Sequence, residues 1–246
     1  MIRSIRACAV VLHYGDPSLT RRVRDQLLAA DPDRAKDIRV LDNAAPLPFE
    51  PCWQRLEQNL YWAGALAWTM EHLEEQYTHL WFLNNDISFS GQPPLLSRAE
   101  ARLEWIEKRL GPVGAYSPSA LRNPYHPQMI QDASQQIRCA ACIDGIAPLF
   151  HLGRLRQCGG IDHEDNPYGY GVDVITSLRL HRAGHLVVVD HQLPLRHTYH
   201  STARNISGFM EKAAKAEARY LASRLGTNYA HQLEQFKKQY TDHKEL

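Results

Sequence analysis

The feature that most constrains this chain is the stretch from His79 to Ser90, HLWFLNNDISFS. Leu80, Trp81, Phe82 and Leu83 form a short, wholly apolar run, the pattern of a strand buried on both faces of a parallel sheet. The run stops at Asn84, Asn85 and Asp86. Open α/β sheets place ligands outside the carboxyl ends of their strands, which is where these three polar side chains would sit. The same residues could merely close the strand in an Asx-rich turn, so the neighbouring segments must decide.

Those segments repeat the arrangement. Ala7 to Leu12 reads as a first strand and His13-Tyr14-Gly15 as its exit loop. Asp16 then caps a helix with Pro17 in its first position, and Leu19, Val23, Leu27 and Ala30 form the apolar stripe. Ile38 to Leu41 is a second strand ending in Asp42-Asn43, which completes a right-handed βαβ unit. A loop containing Pro46, Pro48 and Pro51 leads to a second helix with Leu56, Leu60, Ala63, Ala67 and Met70 on its buried side. Three strand ends with polar residues at one rim predict a pocket rather than three unrelated turns.

Further along, Ser97 and Glu100 have the spacing of a capping box for a helix with Ala99, Leu103, Ile106 and Leu110 inward. Gly114-Ala115-Tyr116 predicts a brief strand, and Ser117 to Arg138 reads as irregular. Asp144-Gly145 precede a strand over Ile146 to Phe150, then a short helix over Leu152 to Cys158 that Gly159-Gly160 stop. The loop NPYGYGVD opens a helix from Asp173 to Ala183, and Leu186 to Val189 is the last strand expected. From Ser207 the pattern is helical, with Phe209, Ala213, Ala216 and Tyr220 on one face. After Gly226 a second helix carries Leu233, Phe236 and Tyr240. The expected division is a domain over residues 1–202 and a helical extension over 203–246, packed on the domain or on a partner subunit as in a homodimer.

A length of 246 residues suits one large α/β domain, or one with an appendage. The net charge of +1 leaves no basic excess for nucleic acid. With a mean hydropathy of −0.43, the chain has no apolar stretch of membrane-spanning length, and the N-terminal apolar run reads as a strand rather than a signal peptide. Five scattered cysteines suit reduced thiols and a cytoplasmic protein. No glycine-rich phosphate cradle follows the first strand. A phosphate-bearing ligand would need another source of positive charge, and a divalent cation on Asp86 would supply it.

The segments CAVVLHYG, VLDNAAP, NLYWAGALAW, WFLNNDI, DGIAPLFHLGRLRQCGGID, YGYGVDVITSLRLHRAG and LRHTYHS, in that order, resemble a GT-A glycosyltransferase of the inverting family-two kind. The likeness covers roughly residues 7 to 202, with LNND in the place of the DxD-type motif. It implies a GT-A fold, a mixed and mostly parallel α/β sheet between helices, and a metal-dependent transfer of sugar from UDP-sugar to a hydroxyl acceptor. By the same resemblance His13, Tyr14, Gly15, Asp42, Asn43, Asn59, Gly64 and Asn85 would face the nucleotide. Asp86, with His197 or His200, would hold Mn²⁺ or Mg²⁺. Asp173 would be the general base, and Tyr168 and Tyr170 would line the acceptor side. The sequence departs from the pattern at Val172, where a glutamate is expected, at Ile175, in place of an aspartate, and at Asn84, the first aspartate of a strict DxD.

Competing readings are a nucleotide-sugar-binding protein with little or no turnover, which Val172 favours, and a sugar nucleotidyltransferase, which HYGDPSLTRR suits poorly for want of glycines. Cys139 and Cys142 with His197 and His200 have the spacing of a zinc site, but buried cysteines are common.

Overall fold

The computed structural model describes residues 5–166, 168–199 and 208–245. Strand β1 (Ala7–His13) is buried throughout. Helix α1 (Pro17–Ala30) follows, its first turn capped by the Asp16 carboxylate on the Ser18 amide at 2.8 Å. Next come β2 (Ile38–Asp42), the two-residue β3 (Gln54–Arg55) and helix α2 (Tyr61–His72). Strand β4 (His79–Asn84) is the apolar run of the sequence, and β5 (Ile87–Phe89) follows directly. Then come α3 (Leu96–Leu110), β6 (Val113–Ala120), β7 (Ile137–Ala140), β8 (Leu149–His151), α4 (Leu152–Gln157) and α5 (Val172–Arg182). The chain continues through β9 (Leu186–His197), α6 (Phe209–Leu225), α7 (Tyr229–Phe236) and β10 (Tyr240–His243).

Among the described residues these strands form one mixed sheet in the order β10-β7-β9-β6-β8-β4-β1-β2-β3, with β5 pairing β9 off the path. Strand β1 runs parallel to β2 and β4, whereas β8 inserts antiparallel between β4 and β6. Each face of the sheet carries its own core. Val23 and Leu27 of α1 pack with Leu103 and Ile106 of α3 on one face. Leu66 and Met70 of α2 pack with Leu155 of α4 and Leu180 of α5 on the other. Each such buried leucine contributes about 2 kcal/mol relative to exposure, so the two layers fix the sheet between them.

Several sequence expectations need correction. The second helix begins at Tyr61, not near Leu56, because Gln54 and Arg55 pair with β2 and the Asn59 side chain accepts from the Tyr61 amide at 2.7 Å. No capping box starts α3. Asp31 accepts from the amides of Leu95, Leu96 and Ser97 at 2.7, 2.8 and 3.1 Å, while Glu100 turns away to the Ala7 amide and Arg34. The strand expected around Gly114–Tyr116 spans Val113–Ala120. The strand expected over Ile146 to Phe150 is Leu149–His151. The last expected strand extends to His197, because partners elsewhere satisfy its polar residues: Asp190 takes Arg102 and the Tyr116 hydroxyl. Tyr240 is not helical but opens β10, which pairs antiparallel with β7.

Candidate functional site

The pairing register brings the strand ends together. His13 lies beside Asp42, and Leu12 beside Asn84, so β1, β2 and β4 finish at a common rim. Above it opens a cavity of about 470 Å³. Of the residues singled out from sequence, Tyr14, Asn43, Asn59, Asn85, Asp86, Tyr168, Tyr170, Asp173 and His197 line it. His13, Gly15, Asp42 and Gly64 do not, and His200 lies outside the described residues.

The residues off the cavity build its walls. The imidazole of His13 is fully buried between the Thr20 hydroxyl at 2.7 Å and the Leu47 carbonyl at 2.8 Å. A carbonyl only accepts, so Nε2 carries the proton and Nδ1 accepts from Thr20. Thr20 in turn accepts from the Asn85 amide at 3.0 Å, and that amide also reaches the Tyr14 carbonyl at 3.2 Å. The chain Asn85–Thr20–His13–Leu47 thus locks Asn85 at the rim. Asp42 is fully occupied by the amides of Ala45 and Phe49 at 2.9 and 3.0 Å and by Arg55 at 2.6 Å. It clips the proline-rich loop. A Cβ on Gly64 would stand 3.1 Å from the Leu60 Cβ and 3.6 Å from the His163 ring, so this glycine serves close packing.

Asn43 and Asn59 form the next stretch of wall. The Asn43 amide donates to Asn59 Oδ1 at 2.9 Å and to the Tyr61 carbonyl at 3.2 Å, and its own oxygen accepts from the Leu60 amide at 2.8 Å. These bonds hold Tyr61 at φ +54°, a conformation that costs a side-chain-bearing residue on the order of 1 kcal/mol. The Tyr61 ring thereby projects to Tyr168 and Phe209, with centroids 5.1 and 6.1 Å away.

Asp86 sits between β4 and β5, and β5 pairs with the end of β9 so that Ile87 faces His197. The register sets His197 Nε2 2.9 Å from Asp86 Oδ1, with both side chains largely buried. Nδ1 of His197 is buried without a partner among the described residues. Among those residues no group of three or more histidines, cysteines, aspartates or glutamates could hold a metal ion, which includes the Cys139–Cys142 pair. All five cysteines are free thiols.

Asp173, also in the cavity wall, lies in the first turn of α5, which Gly171 opens at φ +78°. Burial pushes its carboxyl above the ordinary aspartate range. Asp144 adds to that, while His126 and the amides of Val174 and Gly145 pull it down. Sequence reading missed Asp144, which lies in the cavity wall 5% exposed and accepts from the Asn123 amide. It also missed Trp62, Asn123, Tyr125, His126, Tyr199, Phe209 and Glu217 as lining residues. The one signal for Asp144 was the glycine after it. A Cβ on Gly145 would meet the Trp62 ring at 2.9 Å, so only glycine lets the loop cross that helix.

No protein-family model and no curated protein matches the sequence. Solved structures do match in fold. One is GalNAc-T7 crystallised with UDP, GalNAc and Mn²⁺, at TM-score 0.62 and 11% identity, over 95% of this chain and 54% of that one. Another is a mannosyltransferase from Pyrobaculum calidifontis with GDP-Man and Mn²⁺, at TM-score 0.56 and 12% identity, over 94% of this chain and 74% of that one. This chain therefore spans little more than half the length of the first. At such identities the likeness is one of fold, and the fold is GT-A.

Proposed function

We propose that the cavity binds a nucleoside diphosphate sugar, with UDP as the expected nucleotide, through a divalent cation, and transfers the sugar with inversion to an acceptor hydroxyl. The observation that carries this reading is the placement of Asp86 and His197 at the sheet rim, in one cavity with Asp173. The described lining residues include the carboxylates Asp86, Asp144, Asp173 and Glu217 but no lysine or arginine. A diphosphate cannot settle among four acids without a counter-charge.

The donor set fits a hard cation. Asp86 offers the oxygen ligand that such an ion takes, often with one carboxylate and the substrate phosphates completing the set, and His197 Nε2, hydrogen-bonded to Asp86 Oδ1 at 2.9 Å, could exchange that bond for the ion. Asp86 and His197 would hold Mn²⁺ or Mg²⁺, and such an ion neutralises diphosphate charge and stabilises the leaving oxygens. The chain's own residues do the rest. Tyr14 and Asn59 offer polar contacts to the nucleotide end, and Asn43, whose amide hydrogens go to Asn59 and Tyr61, holds that stretch of wall. Asp173 accepts the proton of the acceptor hydroxyl as it attacks. The rings of Tyr61, Tyr168 and Phe209, in mutual contact, give the cavity an aromatic wall. The two neighbours named above were solved with Mn²⁺ and a nucleotide or nucleotide sugar, in support of the same chemistry here.

The test is UDP and GDP titration by calorimetry with and without Mn²⁺. Asp86→Ala should abolish the metal-dependent part of binding, a loss of at least about tenfold in affinity. Unchanged affinity in that variant removes the cation from Asp86. A binding protein without turnover is the second reading, favoured by Val172, which is fully buried where the resemblance expects a glutamate. Nucleotide binding with neither transfer nor donor hydrolysis selects it.

A further inference from the structure

Val172 and Ile175 stand where the sequence resemblance expects acidic neighbours for Asp173, and both are buried in an apolar cluster with Tyr220 and Leu221 of α6. The helix that buries them also carries Glu217, one turn before Tyr220 and Leu221 and therefore on the same face. Glu217 and Asp173 both line the large cavity, and both line a second cavity of about 130 Å³ beside it. His126 and Tyr170 also border the two spaces, so the pair of carboxyls stands at their junction. The acidic company that Asp173 lacks in its own helix thus arrives from a helix some 40 residues away.

We propose that Glu217 is a positioning residue for the transfer, receiving the proton that Asp173 takes from the acceptor and so returning Asp173 to its ionised form. This rests on the reading of Asp173 as the base. In the step, the acceptor O–H bond breaks, its oxygen bonds to the anomeric carbon, and the bond from that carbon to the diphosphate breaks with its electron pair on the leaving oxygen. The proton goes to Asp173, passes to Glu217 by way of water in the space that both side chains line, and leaves to water in the second cavity.

The charged and titratable groups around Glu217 set the direction. Asp173 of α5 faces it, as do His126 and Tyr170 from the loops, Cys142 after β7, and Lys237 after α7. Lys237 already holds Glu234 at 2.7 Å. Burial and then the charge of Asp173 push the Glu217 carboxyl up to about 7, with Lys237 acting against them. The charge of Asp173 thus makes Glu217 the stronger proton acceptor in a partly desolvated space.

The experiment follows Mn²⁺-dependent hydrolysis of a panel of UDP-sugars and GDP-mannose, with water as acceptor, against pH. Carboxyl ¹³C titration of Glu217 accompanies it. In the unaltered protein kcat should rise through pH ~7. Glu217→Gln should lower kcat roughly 10- to 100-fold, leave donor KM unchanged and move the rise to more acid pH, while Glu217→Asp restores the neutral rise. Asp173→Asn should lower the Glu217 midpoint. A Glu217→Gln variant with the original kcat and pH profile overturns the relay and leaves the Asp173 reading intact. Full hydrolysis by Asp173→Asn overturns both. An unchanged Glu217 midpoint in Asp173→Asn overturns the coupling of Glu217 to Asp173, and with it the relay, whether or not any donor is hydrolysed.

Discussion

At Asp173 two effects oppose each other. Burial and Asp144 favour the neutral acid, while His126 and the amides of Val174 and Gly145 favour the carboxylate. A carboxylate with a raised affinity for protons is a stronger acceptor once ionised, which suits the role of base proposed for it. Asp173→Asn keeps the shape and the amide contacts but cannot take a proton. Its kcat for sugar transfer should fall ~10²- to 10⁴-fold with UDP affinity unchanged, as steady-state rates and calorimetry would read. Retained turnover would remove Asp173 as the base. His13 and Asp42 teach the opposite lesson at the same scale. Each sits at a strand end as a ligand-binding residue would, yet each is occupied by neighbouring protein groups, Leu47 and Thr20 in one case and Ala45, Phe49 and Arg55 in the other.

Helix α3 has no side-chain cap of its own, and Asp31 at the end of α1 supplies one across the fold. That carboxylate is only 4% exposed and satisfies three otherwise orphaned amides together with the Ser97 hydroxyl. Asp31→Ala should therefore destabilise the protein by about 2–4 kcal/mol, more than an exposed cap would. Asp31→Asn, which keeps one acceptor oxygen, should cost roughly half as much. Urea unfolding at constant m checks both, and a loss in the alanine variant below about 0.5 kcal/mol would show that α3 does not need this cap. The apparent capping box at Ser97 and Glu100 misleads because Glu100 is bound by Arg34 and the Ala7 amide, a pairing no local spacing reveals.

Across the whole molecule, the C-terminal segment returns to the sheet it left. Strand β10 covers the outer edge of β7, and the Arg138 guanidinium pairs with Asp242 at 2.6 and 2.9 Å beneath the Tyr240 ring. The Arg138 side chain is 7% exposed and that of Asp242 27%. Asp242→Ala leaves a nearly buried cation half paired, at a cost of about 1–3 kcal/mol. It should also speed amide hydrogen exchange in β7 relative to β1, because the edge loosens before the centre of the sheet. Equal exchange in the variant and the parent would mean that β10 is held by its backbone bonds alone. Through α6 the same C-terminal region places Phe209, Met210 and Glu217 in the cavity wall. No helix among the described residues is long and apolar enough to cross a membrane.

The N-terminal βαβ unit, the buried strand ending in Asn84-Asn85-Asp86, and the helix that presents Asp173 are legible in the order of the residues alone. These follow from local signals, namely apolar runs, a proline after an N-cap, and glycine before a helix start. The length of β6 and β9, the capping of α3, the return of β10, and the membership of Asp144 and Glu217 in the site depend instead on contacts between distant elements. One cause underlies all of these. A polar side chain such as Asp190, Asp31 or Glu217 looks like a break, a turn or a solvated face until its partner from another element is in place, and burial then changes both its cost and its chemistry.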